Sequence, residues 1–305
     1  MKLALKIDVA TLAGLREGVP ALLALLDRHA ARATFYFAFG PDHSGRVGAR
    51  ALPPGEAGGL RERRGPGAWL AGTLGPGPDL GRRGAAAMRG VRDAGHETGL
   101  IAWDPLRWRR RVARADAAWT EAAMQQGVDA YAAVFGETPR THAAAGWQTN
   151  VHALRMTQRL GFAFCSDGRG RCAHLPVGNA ELIRCPQFPT TLPTLDECLA
   201  LPGATADTLA SRLLQATHDL LQPTPVFGVA ADLEARLLPR VLDQLLTGWR
   251  AQGYDLVPLG ALCAAVEPLA LPRCETALAP IPGRRHAVLQ QGAEFLADVE
   301  LPRAA

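Results

Sequence analysis

Carboxylate and imidazole side chains stand where several apolar segments of this sequence end. Asp8 closes the first such segment, Asp42 and His43 follow the second, and Trp103 and Asp104 follow the third. In chains that alternate strands and helices, the loops after the carboxyl ends of strands hold ligands and catalytic groups. Asp and His in such loops could hold a metal ion, act as a general base or protonate a leaving group.

The third of these loops lacks residues that a metal site needs. The stretch Gly95–Trp108 contains a short apolar strand, Thr98–Ala102, and then a polar loop. Ile101 and Pro105 stand four residues apart, a spacing that suits two metal ligands, but neither side chain has a lone pair to donate. The stretch therefore has the position of a catalytic loop without metal-binding residues.

Apolar segments alternate with segments of helical period along most of the chain. The predicted strands cover Leu3–Val9, Ala33–Phe39, Thr98–Ala102, Pro139–Ala143, Phe162–Ser166, Leu182–Cys185, Pro225–Ala230 and Asp255–Pro258. The predicted helices cover Val19–Ala30, Gly84–Ala94, Val112–Phe135, Val151–Leu160, Thr208–Leu221 and Leu237–Gln252. This alternation predicts an α/β fold with a parallel sheet, either open or closed into a barrel.

One segment interrupts the alternation. Residues 44–83 are rich in Gly, Pro and Arg and poor in apolar residues, which predicts an irregular insertion. No internal repeat or linker divides the chain, and no strong period follows Pro268. We therefore predict a single domain over residues 1–291, which includes the insertion, and a tail over 292–305.

Composition limits the class of protein. The chain has 305 residues, 48% of them hydrophobic, and a formal net charge of +4, which indicates a globular protein. The six cysteines form no CxxC pair, the first residues read as a strand rather than a signal peptide, and no run of about 18 apolar residues occurs. We therefore expect reduced thiols and a cytoplasmic location.

The basic residues are almost all arginines, and they cluster at Arg61–Arg64, Arg82-Arg83 and Arg107–Arg114. No nucleic-acid reading module accompanies them, so no nucleic-acid partner is expected. Two interpretations stay open. The clusters could contact phosphates of a membrane surface or a phospholipid head group, or they could form a solvated, arginine-rich surface.

The motifs together resemble those of the NodB-type polysaccharide deacetylase family. Within that family they are most like the deformylases that act on undecaprenyl-phosphate-linked 4-formamido-4-deoxy-L-arabinose. The matching segments are Asp8–Thr11, Arg16–Pro20, Gly40–Asp42, Glu97–Pro105, Ala143–Gln148, Ser166–Gly170, Leu192–Glu197 and Val229–Ala235. The resemblance implies a (β/α) barrel of about seven strands, the distorted TIM-like barrel of that family.

The resemblance also shows where this chain departs from the family. Asp8 keeps the position of the family's general base. The positions of the three metal ligands hold Ala10, Ile101 and Pro105, and the position of the general acid holds Ala230. The family's divalent metal, such as zinc, needs about three ligands with oxygen, nitrogen or sulfur lone pairs, and these side chains supply none. We therefore expect no metal cofactor.

These substitutions predict a catalytically inactive relative that keeps the fold. The resemblance implies that a polyprenyl-phosphate sugar, or another glycan, still binds, with peripheral contact to the inner face of the membrane. The residues expected to contact this ligand are Asp42, Trp103, Asp104, Trp147, Asp167, Arg169, Asp196 and Glu197.

Two other functions stay open. The chain could be a working deformylase or deacetylase of a sugar amide with a rearranged site, in which Asp8, Asp42, His43 and Asp104 face one cavity and hold a relocated metal. It could also be an interaction protein whose groove binds no sugar. Metal content and glycan binding separate these alternatives.

Overall fold

The structure is a computed structural model that describes residues 1–44, 77–199, 203, 205–218, 225–282, 284 and 286–295. Most of the predicted insertion at 44–83 and the end of the predicted tail at 292–305 lie outside the described residues.

A parallel sheet forms a half-barrel with helices around it, which confirms the predicted α/β barrel. Its strands are β1 (Lys2–Val9), β2 (Thr34–Ala38), β3 (Glu97–Ala102), β4 (Thr141–His142), β5 (Phe164–Cys165), β8 (Val226–Ala230) and β9 (Asp255–Val257). The strand order is β5-β4-β3-β2-β1-β8, and β9 pairs with the start of β1.

The helices in chain order are α1 (Val19–Arg28), α2 (Leu80–Asp93), α3 (Pro105–Arg111), α4 (Ala117–Phe135), α5 (Val151–Arg159), α6 (Leu195–Leu199), α7 (Ala206–His218), α8 (Glu234–Leu237), α9 (Pro239–Ala251) and α10 (Leu259–Cys263). A π-helical turn at Gly14–Gly18 precedes α1. Among the described residues, no helix combines the length and the apolar character needed to cross a bilayer.

Strand β1 lies between neighbours on both sides and is buried on both faces. Leu3, Leu5 and Ile7 on one face and Ala4 and Lys6 on the other are at most 2% exposed, as expected for a central strand covered by helices. The pairing places Asp8 opposite Tyr36 of β2 on one side and Ala230 of β8 on the other. The carboxyl ends of β1, β2 and β8 therefore meet at one edge of the sheet.

A second sheet was not predicted. It contains β6 (Leu175–Gly178), β7 (Glu181–Leu182), β10 (Arg273–Ala279) and β11 (Val288–Glu294) in the order β11-β10-β6-β7. The last two strands lie where the sequence has no strong period, because few of their side chains are apolar and buried. Strand β11 runs three residues past the predicted domain end at 291.

Several predicted bounds differ from the structure. The helix predicted at Gly84 begins at Leu80, because the side chain of Asp79 accepts the backbone N–H of Arg82 and caps the first turn. The single helix predicted from Val112 is a 3-10 turn followed by α4, whose cap is Asp116. The strand predicted at Leu182–Cys185 is the short β7 instead.

Gly99 of β3 allows a close approach that a side chain would block. A Cβ atom there would lie 2.6 Å from the ring of Tyr36 and 2.7 Å from the methyl group of Thr141. Gly99→Ala is therefore expected to lower the free energy of unfolding by about 1–3 kcal/mol, measured by urea denaturation. Gly90→Ala is the matched control, because no atom lies within 4 Å of the added Cβ in α2. It should be neutral or stabilising by up to about 1 kcal/mol, and equal effects of the two changes would contradict the packing argument.

Candidate functional site

An open cavity lies at the carboxyl edge of the main sheet. Asp8 and Ala10 line it from the end of β1, Ile101 from β3, Pro105 from the start of α3 and Ala230 from the end of β8. The cavity offers about 170 Å³ to the centres of water molecules. At roughly 10–15 Å³ for each water, this is space for more than ten waters.

The four substituted positions all line this cavity. We call Ala10, Ile101, Pro105 and Ala230 the aliphatic wall. Ile101 is 3% exposed, and the two alanines are partly buried against the core. Because no side chain of this wall has a lone pair, these residues do not fit a divalent metal.

Asp8 and Lys6 form the floor of the cavity. Lys6 is 1% exposed, and its Nζ donates to the carbonyl oxygen of Ser166 over 2.9 Å and lies 3.9 Å from Asp8 Oδ1. Asp8 Oδ1 is buried and has no hydrogen-bond partner. Burial lowers the pKa of the Lys6 ammonium and raises the pKa of the Asp8 carboxyl, and the opposite charge of each neighbour offsets part of these shifts. The sequence analysis did not single out Lys6. A lysine within an otherwise apolar central strand could have indicated a functional residue.

The side chains of His43 and Asp104 form a hydrogen bond at the cavity. His43 Nε2 lies 3.0 Å from Asp104 Oδ2, and each side chain is 12% exposed. Asp104 also caps α3, because its Oδ1 accepts the backbone N–H groups of Leu106 and Arg107. The imidazole lines the cavity, and its Nδ1 is buried without a hydrogen-bond partner.

Asp42 does not join this pair. Its carboxylate accepts the backbone N–H groups of Leu12 and Ser44, and the residue is 2% exposed. It therefore shapes the loop after β2 instead of facing the cavity, and the set Asp8, Asp42, His43 and Asp104 is not brought together. The idea of a relocated metal on these four residues is not supported.

Another group of metal-binding side chain types lies behind the cavity. Among the described residues, His142, Cys165 and Asp167 are the one group of at least three whose ligand atoms meet within 4.8 Å. The three side chains already have partners within the protein. His142 Nδ1 is 2.7 Å from Asp167 Oδ1, Gln187 donates to Asp167 Oδ2, and the Cys165 sulfur is 3.5 Å from that of Cys185. Burial raises the pKa of the Cys165 thiol, so the thiolate form that binds metals is disfavoured.

Trp147 forms one side of the cavity between two arginines. The guanidinium carbons of Arg284 and Arg169 lie 4.6 and 5.1 Å from the centre of its ring. Arg284 pairs with Asp196 and Glu197, both at 3.0 Å, and Arg169 pairs with Glu197 at 3.2 Å. The backbone of Trp147 is left-handed, with φ of 55°, so the surrounding contacts hold it in an unfavourable conformation. No sequence pattern indicated a role for Arg284, because it lies in the segment after Pro268, which has no clear periodicity.

The structure thus separates the predicted ligand-contacting residues. Trp147, Asp196 and the predicted base Asp8 line the cavity. Asp104 does not line it, but it hydrogen-bonds His43, which does. Trp103 packs on Gly40, where a Cβ atom would lie 2.9 Å from the indole. The remaining predicted residues make hydrogen bonds and ion pairs within the protein and do not line the cavity, and they are Asp42, Asp167, Arg169 and Glu197.

Comparison with known proteins identifies relatives. No profile of a known protein family matches the chain. It is 30% identical over 265 residues to a protein of Shewanella sediminis assigned as a 4-deoxy-4-formamido-L-arabinose-phosphoundecaprenol deformylase, which covers 85% of this chain and 84% of the relative.

Solved structures share the fold. An assigned polysaccharide deacetylase from Mycobacterium smegmatis matches with a TM-score of 0.63 and 14% identity, over 92% of this chain and 94% of that one. A CE4 family pseudoenzyme from Bacillus anthracis matches with a TM-score of 0.51 and 13% identity, over 86% of this chain and 65% of that one. At these identities the likeness shows a common fold.

The ion pairs around Trp147 should be structural. Glu197 is buried and holds two guanidinium groups and the backbone N–H of Thr194. Glu197→Ala is therefore expected to cost about 3–5 kcal/mol of unfolding free energy in urea denaturation, because it leaves the largely buried Arg169 without an ion pair and Arg284 with Asp196 alone. Glu181→Ala is the matched control, since its pair with Arg155 is 32–40% exposed and is worth at most about 1 kcal/mol. A loss below 1 kcal/mol for both changes would refute the structural role.

Proposed function

Because the chain belongs to the family of the 4-deoxy-4-formamido-L-arabinose-phosphoundecaprenol deformylases, among the NodB-type polysaccharide deacetylases, we propose that it binds a lipid-linked sugar in this cavity without hydrolysing it. One observation carries the proposal. The aliphatic wall lies in the same cavity as Asp8, so the substitutions fall together at the place where the family's chemistry would occur.

The proposed inactivity follows from the side chains that face the cavity. A divalent metal would polarise the amide and activate water, and the aliphatic wall offers it no ligand. A general acid contributes roughly 10²–10⁴-fold to the rate of a hydrolysis, and the methyl group of Ala230 cannot supply a proton. Asp8 remains as a base with no partner that protonates the leaving amine.

The proposed binding rests on the groups that remain. Trp147 offers an aromatic ring, and Lys6, Asp8, Thr190 and Arg284 offer polar atoms in the same cavity. A ring of this kind, with a few converging polar groups, is typical of a site for a small polar ligand. In this proposal, the chain has lost the groups that carry out the reaction. It has kept the polar floor and the aromatic side of the cavity, which bind the ligand.

The arginines of α3 support contact with a polyprenyl phosphate and with a membrane. Arg109 lines the cavity. Four exposed arginines lie beside it in α3 and in the 3-10 turn that follows, and we call them the arginine face: Arg107, Arg110, Arg111 and Arg114. None of these five side chains has an ion pair or hydrogen bond with another described residue. Anionic head groups attract each such charge by about 1 kcal/mol. We therefore place the chain, in this proposal, in the cytoplasm and peripherally at the inner face of the membrane.

Metal content and formate release test the inactivity. The purified protein, incubated with Zn²⁺ or Co²⁺ and then desalted, is expected to retain no stoichiometric metal by mass spectrometry. It should release no formate from the formamido-arabinose lipid. The variant Ala10→Asp/Ile101→His/Pro105→His should retain metal, and addition of Ala230→His should give measurable formate release. Stoichiometric metal together with formate release by the wild type would overturn the proposal.

The variants need a control for folding, because a histidine at the buried position 101 is destabilising. Their thermal unfolding is measured beside that of Ala10→Asp/Ala230→His, which changes only the two partly buried positions. This double variant should fold like the wild type and retain no metal, because it adds too few ligands. If the triple variant is folded and still retains no metal, the cavity no longer has the family's geometry.

Vesicle sedimentation tests the membrane contact. The protein is expected to bind vesicles of phosphatidylglycerol and phosphatidylcholine, and not vesicles of phosphatidylcholine alone. Arg110→Ala/Arg111→Ala should weaken this binding roughly 30-fold, at about 1 kcal/mol for each charge. The matched control is Arg82→Ala/Arg83→Ala, which removes two exposed arginines of α2 away from the cavity. Equal weakening by the two pairs would show a general charge effect and contradict a specific arginine face.

A further inference from the structure

Lysine is nearly absent from this chain. The sequence has 31 arginines but only two lysines, Lys2 and Lys6. Lys2 is exposed at the start of β1, whereas Lys6 is 1% exposed within the same strand. Arginine is the usual cation of buried ion pairs, because its planar guanidinium keeps its charge and makes several hydrogen bonds, whereas a buried lysine readily loses its proton. A buried lysine in such an arginine-rich chain therefore indicates a position that needs an amine.

Strand geometry directs this amine into the cavity. Successive side chains of a strand point to opposite faces, so Lys6 and Asp8 share one face of β1. Both side chains line the cavity at the carboxyl edge of the main sheet. The Lys6 side chain is 2% exposed and the Asp8 side chain is 36% exposed. The amine therefore lies at the closed end of the cavity, and the carboxylate lies nearer to its opening.

The surroundings of Lys6 Nζ leave the ammonium poorly solvated. Nζ donates a hydrogen bond to the carbonyl oxygen of Ser166 over 2.9 Å and lies 3.9 Å from Asp8 Oδ1. The ring centres of Tyr36 and Trp147 lie 5.6 and 5.9 Å from Nζ. An ammonium carries three N–H donors, and aromatic rings replace its water only in part. Such an environment favours the neutral amine, which is the nucleophilic form of lysine.

Asp8 is placed to take the proton that the amine must lose. Burial is the largest influence on the pKa of each group, and it lowers the pKa of Lys6 and raises the pKa of Asp8. The charges of Asp8 and Asp167 act to raise the Lys6 pKa, and the charge of Arg169 acts to lower it. Proton transfer from Lys6 to Asp8 therefore removes a pair of charges that burial disfavours.

We therefore propose that Lys6 is a nucleophile that forms an imine with a small aldehyde bound in the cavity. Asp8 first accepts a proton from the Lys6 ammonium, and the amine nitrogen then attacks the carbonyl carbon to form a C–N bond. The carbonyl oxygen takes one proton from this nitrogen and a second from Asp8, and it leaves as water. The nitrogen becomes part of a protonated imine, and Asp8 returns to its carboxylate. One aldehyde is consumed and one water is released, without an oxidant or a reductant.

The lining of the cavity favours an uncharged aldehyde that carries hydroxyl groups. Carboxyl groups outnumber cations there, the former from Asp8, Asp196, Asp232 and Glu234 and the latter from Lys6, Arg109 and Arg284. Carboxylate oxygens accept hydrogen bonds from hydroxyl groups, and they disfavour an anionic aldehyde. Glyceraldehyde is a compound of the favoured class. Glycolipid binding plays no part in this reaction, so the inference does not rest on the proposed function.

Reductive trapping tests the proposal. The full chain is incubated at neutral pH with glyceraldehyde and cyanoborohydride, which reduces an imine to a stable amine, and tandem mass spectrometry measures the label on each lysine. Lys2 is the matched control within the chain, because it is an exposed lysine of the same strand. Lys6 is expected to carry at least about tenfold more label than Lys2, since each unit by which a pKa falls raises the amine fraction tenfold. Equal label, or more label on Lys2, would follow exposure alone and would overturn the proposal.

Two further measurements test the activation of the amine and the class of aldehyde. Label on Lys6 should level off below about 10.4, the pH at which an ordinary lysine loses its proton, because burial lowers the Lys6 pKa. Glyoxylate, an anionic aldehyde, should give a smaller ratio of Lys6 label to Lys2 label than glyceraldehyde. An increase in Lys6 label up to the ordinary pKa, or a larger ratio with glyoxylate, would contradict the proposal.

Two variants test whether the aldehyde reaches Lys6 through the cavity. Ala230→Leu adds bulk at a partly buried position that lines the cavity, and it should remove most of the label from Lys6 without changing the label on Lys2. Ala113→Leu adds the same bulk at an exposed position outside the cavity and should change neither label. Thermal unfolding checks that both variants are folded. Undiminished Lys6 label in folded Ala230→Leu would refute a reaction in this cavity.

The failure of this proposal can be told from failure of the proposed function. If the lipid-linked formamido-arabinose binds and is not hydrolysed, but Lys6 carries no more label than Lys2, the proposed function stands and the reactive amine is wrong. If Lys6 is labelled selectively and the glycolipid does not bind, the reactive amine stands and the proposed function is wrong.

Discussion

The pairing of β1 with β2 and β8 fixes the position of Asp8 and Ala230 in the cavity. It sets Asp8 beside Tyr36 and Ala230, and the backbone N–H of Ala231 continues the pairing by donating to the carbonyl of Asp8. The π-helical turn after β1 then packs against this end of β8 at Gly18, where a Cβ atom would lie 2.1 Å from the carbonyl oxygen of Ala231. A shift of one residue in this register would turn Asp8 away from the cavity. The backbone requirements of the site are thus kept although its metal-binding side chains are replaced.

The charges of the floor explain how the fold tolerates these replacements. A buried carboxylate oxygen without a counter-charge is costly, and Oδ1 of Asp8 is buried although 36% of the side chain is exposed. Lys6 supplies an opposite charge at 3.9 Å, and the positive charge of Arg284 also acts to lower the pKa of Asp8. Ala10 removes a second carboxylate that the family pattern places nearby, which leaves Asp232 as the carboxylate that acts to raise this pKa. The aliphatic wall adds apolar burial and leaves no unpaired donor.

The sequence allowed the convergence of the site to be predicted, because the carboxyl ends of parallel strands share an edge. Asp8, Ala10, Ile101, Pro105 and Ala230 therefore meet as expected. The roles of other predicted residues depend on partners distant in the chain. Asp167 pairs with His142 and Glu197 pairs with Arg284, and no local pattern indicates either contact. The second sheet was missed for a similar reason, since β10 and β11 bury few side chains and β10 gains order from pairing with β6.

The remaining polar groups suit the binding of a stable ligand better than catalysis. Hydrolysis of an amide requires groups that interact more strongly with the transition state than with the substrate, above all donors aimed at the developing oxyanion. Here two of the cations that line the cavity are already engaged, Lys6 with Ser166 and Asp8, and Arg284 with Asp196 and Glu197. His43 lines the cavity, and Asp104 holds its Nε2. Groups that are already paired in this way give little selective help to bond cleavage, in keeping with the proposed loss of activity.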